Sequence, residues 1–323
     1  MAAQLLTTEE SITRLYCDYS PKCMKVVALG CSVGPNTLIV TSNIIGMVDN
    51  ARTRLNRKPA TFQFYLNDLF GNDFNTIFKS LPDFYTRLVE DKGHKFGPCF
   101  INATPGSYYG RLFPSNFINF FHSSTSLHWL SQDPLLGTSP PEVYKAYLKQ
   151  SQEGFKLFLK SRWEELMPGG AMVLVFPGRN ETPRRSLREV ISLTLNDMLL
   201  EVLIEDEKLD SFNIPVYEPT VEEIRHVILE EESLFLQRLD IFTMSWDEGI
   251  NDSFLDGNIR AEFVAKYTRA FEAKVVNELF IRFPKKLVQL MKVELEIGVC
   301  YVRDILNKKV IIIILEEVLL NRS

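Results

Sequence analysis

The stretch KVVALGCSVGPNT, residues 25–37, decides the fold that the sequence predicts. Its first five residues form a short apolar run, which is typical of a parallel strand covered on both faces. A turn with Gly30 and Gly34 follows, and Asn36 or Thr37 could cap a helix over about residues 37–55. Glycines let a backbone approach a ligand closely. Because the turn is neither G-x-G-x-x-G nor a Walker loop, it indicates either a structural turn or a binding loop for a ligand other than a diphosphate.

The rest of the chain continues the alternation of strand and helix. Four more strands are predicted, at residues 61–66, 98–103, 118–123 and 171–176, with a long helix over 140–166. This order predicts the α/β class, with a doubly wound, Rossmann-like sheet that binds ligands at the carboxyl ends of its strands. Amphipathic helical stretches follow from about 184 to 280. We therefore expect a Rossmann-like core over 1–180, a helical cap interleaved with the core over 181–290, and a C-terminal strand region over 291–323.

Composition and charge indicate which kinds of partner and which cellular compartment to expect. The 323 residues are 46% hydrophobic and carry a net charge of -5, which argues against nucleic acid as the main partner. Five cysteines without CxxC spacing indicate free thiols in a reducing compartment. The first 16 residues lack the basic region of a signal peptide, and the apolar run 310–315 is too short to span a bilayer. We expect a cytoplasmic protein without a membrane partner.

Two loops after predicted strands carry residues that suit a nucleoside. Asp68 ends the second strand, where a carboxylate can accept both hydroxyls of a ribose. Asp68 could instead cap the next helix, although Asn72 or Asp73 fits that role better. In TPGSYYGRLFP, residues 104–114, Tyr108 could stack on an adenine ring and Ser107 could face its amine. An ordinary turn with core tyrosines is the alternative for this loop.

The loop FHSSTSLHWLSQDP, residues 121–134, follows the fourth strand. A single histidine is usually structural, but His128 beside Trp129 at the mouth of a sheet could donate a hydrogen bond to a substrate. No cysteine lies beside a histidine in the sequence, which therefore gives no sign of a cysteine nucleophile paired with a base. Methyl transfer from a sulfonium fits such a site, since the protein then mainly holds donor and acceptor in line.

These motifs together resemble one family. LGCSVGPNT, YLNDLFGNDFN, PGSYYGRLFP and HSSTSLHWLSQ, in this order, closely resemble the plant SABATH methyltransferases, which include salicylate, benzoate and theobromine methyltransferases. SPPEVYKAYLKQ at 139–150 and EDEKLDSFNIPVY at 205–217 match the same pattern. The resemblance implies a Rossmann-like S-adenosylmethionine-dependent methyltransferase with a helical cap, and usually a homodimer. Its product would be S-adenosylhomocysteine.

The resemblance also implies roles for individual residues. The cofactor-binding residues would be Gly30, Cys31 and Asn36 at the methionine end, Asp68 and Leu69 at ribose and adenine, Ser107 and Tyr108 at the adenine, and Ser124 and Ser126 on the cofactor side of the pocket. The substrate-binding residues would be Thr125, His128 and Trp129. An optional, structural magnesium ion would lie at Asp210, Phe212 and Asn213.

The acceptor follows from the chemistry that each candidate needs. A carboxylate is ionised at neutral pH and needs no base, and His128 and Trp129 could each donate to one of its oxygens. A xanthine nitrogen would have to lose a proton. Methylation of the carboxylate of a small plant acid is therefore favoured, and N-methylation of a xanthine is the alternative. Ala28, where the family has Asp, keeps a third interpretation open, in which the protein is an inactive relative that binds a small acid.

Overall fold

A computed structural model describes residues 2–33, 36–93, 96–130, 141–178, 187–210, 215–230, 235–243, 271–291, 298–303 and 310–317. The first half contains α1 (Ala2–Tyr19), β1 (Cys23–Leu29), α2 (Asn36–Arg54), β2 (Thr61–Asp68), α3 (Phe74–Lys79), α4 (Leu81–Lys92), β3 (Cys99–Pro105), β4 (Ile118–Ser124), α5 (Pro141–Glu165) and β5 (Leu166–Gly178). The second half contains α6 (Leu187–Leu200), α7 (Asp206–Asp210), α8 (Val221–Glu230), β6 (Phe235–Thr243), α9 (Ala273–Met291), β7 (Gly298–Arg303) and β8 (Val310–Glu317).

The strands form one sheet in the order β3-β2-β1-β4-β5-β8-β6-β7. Strand β1 pairs in parallel with β2 on one side and with β4 on the other. The direction of winding therefore reverses between β1 and β4, and the carboxyl ends of these strands open onto a crevice. Strand β8 pairs in parallel with β5 and β6, and β7 runs antiparallel to β6. The α/β class with a Rossmann-like sheet, predicted from the sequence, is confirmed.

Both faces of the sheet are buried, which explains the apolar runs of its central strands. On one face, Val26 and Phe64 pack in a cluster that includes Ile12 of α1 and Ile45 of α2. On the other face, side chains of β1, β4 and β5 pack in a cluster with α5 and α8: Val27, Phe121, Leu174, Phe158 and Ile224. Because both faces are packed, the carboxyl ends of these strands stay aligned at the crevice.

Some element boundaries differ from the sequence prediction. Helix α1 begins at Ala2, and Thr8 is buried within it. Helix α5 ends at Glu165, and β5 begins at Leu166 rather than at the predicted residue 171. Gly169 has φ +76°, and a Cβ there would lie 2.0 Å from the Tyr19 ring, so this glycine lets α1 pack on β5. Asp73 caps α3 as predicted, accepting from the N–H of Thr76.

None of the helices in the described ranges is long and apolar enough to cross a membrane. The division of the chain into a core over 1–180, a cap over 181–290 and a C-terminal region over 291–323 stays a prediction.

Candidate functional site

The turn after β1 depends on a glycine. Gly30 has φ +67°, in the left-handed region that glycine tolerates best. A Cβ at Gly30 would lie 2.4 Å from both Cβ and Oγ of Ser126, so the position has no room for a side chain. The next residue, Cys31, donates its N–H to the carbonyl of Asn67 at 2.9 Å. The turn is thereby fixed against the ends of β2 and β4.

The Asp68 carboxylate connects the loop after β1 with the loop after β2. Its Oδ2 accepts from the backbone N–H of Ser32 at 2.7 Å, and its Oδ1 accepts from the N–H of Leu69 at 2.8 Å. A carboxylate has about four acceptor positions, so hydroxyl donors can still bind the same oxygens. Asp68 is half-buried and Leu69 is exposed. This arrangement suits a ribose at the carboxyl end of β2.

Asn67 holds the loop after β3 beside the loop after β2. Its side chain is buried, and Nδ2 donates to the carbonyls of Thr104 at 2.8 Å and Gly106 at 2.9 Å. The N–H of Gly106 donates to the carbonyl of Asp68 at 2.9 Å. Ser107, the next residue, is exposed, and its Oγ accepts from the N–H of Tyr109 at 3.3 Å. The predicted ribose and adenine loops are therefore neighbours.

Tyr108 is half-buried at the inner side of this loop. Its hydroxyl donates to the carbonyl of Ser126 at 2.8 Å, and its ring meets the ring of Phe158 edge-on at 6.0 Å between centroids. Burial raises the pKa of Tyr108 well above its ordinary value, so the phenol stays a donor. Part of the Tyr108 side chain is thus used in packing, as the alternative of core tyrosines predicted.

The residues after β4 differ in exposure. Ser126 is buried, and its Oγ lies 3.1 Å from the carbonyl oxygen of Leu29 and 3.1 Å from the Oγ of Ser123. Ser124 is half-buried. Thr125 is exposed, has φ +56°, and donates its N–H to the carbonyl of Val175 at 2.8 Å. Ser126 therefore shapes the floor under Gly30, while Thr125 projects from the surface of the loop.

His128 and Trp129 lie at the inner end of this loop. His128 is only 2% exposed, Trp129 is half-buried, and their ring centroids are 5.2 Å apart. The N–H of Tyr217 donates to the carbonyl of His128 at 2.9 Å, and Trp129 pairs with Val216. The segment 215–217 therefore holds both predicted acceptor residues. This segment ends the motif EDEKLDSFNIPVY, from which no role in holding the acceptor was predicted.

A thiol nucleophile is not favoured at Cys31. Burial raises the pKa of the Cys31 thiol to about 12, with the Asp68 carboxylate acting in the same direction. The thiolate is the reactive form of cysteine, so Cys31 is uncharged at neutral pH. This agrees with a reaction in which no cysteine attacks the substrate.

Some predicted ligand residues lie outside the described side chains. Asn36 begins α2 and Asp210 ends α7, but their side chains are not described. Phe212 and Asn213 lie outside the described residues altogether. Within the described ranges, no three His, Cys, Asp or Glu side chains group together as metal ligands. The magnesium site stays a prediction.

A small cavity beside the crevice does not suit the acceptor. It lies between α5 and α8, holds about 20 Å³, and is lined in part by Leu148, Phe155, Tyr217 and Ile224. That volume fits about one water molecule. An aromatic acid would need a much larger space, so we place the candidate acceptor site at His128 and Trp129 instead.

A parallel sheet with a switch point beside β1, a glycine turn after β1 and an acidic residue at the end of β2 define a nucleoside-binding Rossmann-like protein. The chain matches the family described as SAM dependent carboxyl methyltransferase over residues 2–315, and it belongs to that family. It is therefore an S-adenosylmethionine-dependent methyltransferase, and the predicted resemblance to the SABATH enzymes is confirmed.

Named relatives and a solved structure agree with this membership. The chain is 43% identical over 263 residues to probable jasmonic acid carboxyl methyltransferase 2 of Theobroma cacao, covering 75% of this chain and 70% of that protein. It is 38% identical to salicylate carboxymethyltransferase of Clarkia breweri, covering 89% and 86%. It is also 38% identical to 3,7-dimethylxanthine N-methyltransferase 1 of Coffea arabica, covering 80% and 76%. A structure of loganic acid methyltransferase with SAH superposes with a TM-score of 0.73 at 27% identity, covering 89% and 86%.

Proposed function

We propose that this enzyme transfers a methyl group from S-adenosylmethionine to the carboxylate of a small plant acid, of the benzoate, salicylate or jasmonate kind. The product is a methyl ester. The observation that carries the proposal is the buried His128 beside Trp129, held by segment 215–217 at the edge of the crevice where Gly30 and Asp68 lie.

The described residues fit the cofactor. Gly30 leaves the turn after β1 without a side chain, and the Asp68 oxygens keep acceptor positions for ribose hydroxyls. We assign the methionine end to Gly30, Cys31 and Asn36. We assign the nucleoside to Asp68, Leu69, Ser107 and Tyr108, with Ser124 and Ser126 closing the same side. When bound, the cofactor supplies a methyl group activated by a sulfonium.

The chain's own part in the reaction is to hold the acceptor. The imidazole of His128 and the indole N–H of Trp129 donate to one carboxylate oxygen, which leaves the other oxygen facing the methyl donor. A benzoate-like acid is already ionised at neutral pH, so no residue has to remove a proton. Donors in a buried site bind an anion more strongly than donors in water. Thr125 borders the acceptor, and its small side chain leaves room for a bulkier acid.

N-methylation of a xanthine is the second candidate, and the similarity to the Coffea arabica enzyme favours it. It requires that the ring nitrogen lose a proton. The third candidate, an inactive relative that binds a small acid, is favoured by Ala28, because an alanine provides no carboxylate near the cofactor.

Two measurements test these candidates in sequence. First, calorimetry should detect binding of S-adenosylhomocysteine to the wild type, with much weaker binding to Asp68→Ala. Failure of the wild type to bind would contradict the enzyme activity. Second, labelled S-adenosylmethionine is tested against benzoate, salicylate, jasmonate, indole-acetate and xanthines. A labelled product that mild alkali hydrolyses to labelled methanol is an ester, whereas an alkali-stable product from a xanthine would contradict carboxyl methylation.

We also infer a homodimer and an optional structural magnesium ion at Asp210, Phe212 and Asn213 from the family resemblance. We infer a cytoplasmic location from the cysteines, which lack the spacing of a disulfide framework. Native mass spectrometry tests the dimer. A comparison of thermal unfolding with and without a chelator tests the ion, since removal of a structural ion lowers the unfolding temperature.

A further inference from the structure

The last turn of α5 carries a buried ion pair. Arg162 and Glu165 are three residues apart, and both side chains are 0% exposed. Arg162 Nε donates to Glu165 Oε2 at 2.8 Å, and Nη2 donates to Oε1 at 3.0 Å. A buried ion pair is weak evidence of stabilisation, because desolvation of the two charges offsets their attraction. The other contacts of this pair therefore need an explanation.

Those contacts go to the loop after β3. Arg162 Nη1 donates to the carbonyl of Tyr108 at 2.7 Å, and Nη2 donates to the carbonyl of Gly110 at 2.8 Å. Glu165 Oε1 accepts from the N–H groups of Leu112 and Phe113. We call residues 106–113 the bridging loop. The ion pair fixes its backbone at four points, which ordinary loops on a surface do not receive.

The bridging loop in turn contacts the acceptor residues. Tyr108 donates to the carbonyl of Ser126 at 2.8 Å, and Tyr109 donates to the carbonyl of Trp129 at 2.6 Å. The pKa of each phenol is raised by burial, so both remain protonated donors. The two tyrosine rings lie 5.0 Å apart and support each other. One short loop is therefore bonded to α5 on one side and to segment 126–129 on the other.

We propose that Arg162 and Glu165 are positioning residues, and that the bridging loop couples binding of the nucleoside cofactor to binding of the acid acceptor. A cofactor that contacts Ser107 and Tyr108 shifts the loop on the support that the ion pair provides. The Tyr109 hydroxyl transmits this shift to the carbonyl of Trp129 and so to the groups that orient the acceptor. This inference rests on the proposed function, which assigns the cofactor to Ser107 and Tyr108 and the acceptor to His128 and Trp129.

The test measures the coupling directly. The affinity for S-adenosylhomocysteine is measured by calorimetry with and without a saturating amount of the acid that the screen methylates fastest. In the wild type, we expect the acid to raise the affinity by about fivefold or more, within the usual range of coupling between sites. In Tyr109→Phe, which removes only the hydroxyl, the ratio of the affinity with the acid to the affinity without it should fall close to one. The affinity without the acid should change less than about twofold.

Two further variants complete the test. Tyr85→Phe is the matched control, because the Tyr85 hydroxyl also donates to a carbonyl, that of Cys99, away from the crevice. It should keep the wild-type ratio. Arg162→Lys keeps the charge but lacks the fork that serves Tyr108 and Gly110 together, and it should weaken S-adenosylhomocysteine binding about tenfold, measured at a temperature at which the variant is fully folded.

The outcomes separate this inference from the proposed function. If the wild type does not bind S-adenosylhomocysteine, the proposed function fails. If the wild type binds it and methylates an acid, but its ratio is one, the coupling is overturned. A wild-type ratio in Tyr109→Phe, or an equal loss in Tyr85→Phe, also overturns it.

Discussion

Ala28 on β1 lies directly beside His122 on β4 in the register of the parallel sheet. Residues in register on neighbouring parallel strands project from the same face, so the methyl group of Ala28 borders the imidazole. Burial lowers the pKa of His122 to about 4, which keeps the ring neutral. The carboxyl end of β1 therefore has an uncharged pair of side chains two residues before the turn at Gly30.

Restoring a carboxylate at position 28 should strengthen cofactor binding. In Ala28→Asp, the new carboxylate lies before the turn assigned to the methionine end, whose α-ammonium group can donate to it. A charge-assisted hydrogen bond of this kind corresponds to roughly a tenfold gain in affinity. Calorimetry with S-adenosylhomocysteine measures the gain. Ala28→Asn is the control, because it has the same shape without the charge and should gain much less. Equal affinities in Ala28→Asp and the wild type would contradict the prediction.

His122 should make folding stability depend on pH. Its pKa is about 4 in the folded chain and 6.5 in an exposed histidine, so only the unfolded chain takes up the proton between these values. The ring is neutral in both states above 6.5, and stability is lost as the pH falls toward 4. At pH 5 the loss is about 2 kcal/mol. Urea unfolding at pH 7.5 and pH 5 measures it. In His122→Asn, the decrease in the free energy of unfolding from pH 7.5 to pH 5 should be smaller by this amount, about 2 kcal/mol. A decrease equal to that of the wild type would show that His122 is not the group responsible.

The position of the site could be predicted from the sequence because each of its motifs follows a buried strand. The runs 25–29 and 61–66 lie within β1 and β2 as observed, and the residues after them meet at the carboxyl edge. Parallel strands ending at one edge bring distant loops together whatever the loop lengths are. Gly30 and Asp68 could therefore be placed together from the sequence alone.

The ion pair on α5 could not be predicted in the same way. Opposite charges three residues apart on an amphipathic helix are ordinarily a solvated pair of small energetic value. Arg162 is buried because the backbone of Tyr108, 54 residues earlier, packs over it. Such a contact depends on the path of a loop rather than on local periodicity. The pairing of segment 215–217 with His128 could not be predicted for the same reason.

Gly30 should not tolerate a side chain. Gly30→Ala forces an alanine to φ +67° and places its Cβ 2.4 Å from Ser126. We expect a loss of about 2 kcal/mol or more in the free energy of unfolding, together with weaker S-adenosylhomocysteine binding. Gly71→Ala is the matched control, since a Cβ there meets nothing within 4 Å. Wild-type stability in Gly30→Ala would show that the turn can rearrange.

Thr125 should set the size of the acceptor. It is exposed at φ +56°, a conformation that strains a β-branched residue, and it lies three residues before His128. Thr125→Tyr adds a ring at the border of the acceptor site, which should raise kcat/KM for flat acids such as salicylate relative to jasmonate, by roughly tenfold in the ratio. Thr125→Asn is the control, because asparagine relieves the backbone strain without adding a ring, and it should leave the ratio unchanged. The rates with labelled S-adenosylmethionine measure both ratios, and a tyrosine variant with the wild-type ratio would show that residue 125 does not border the acceptor.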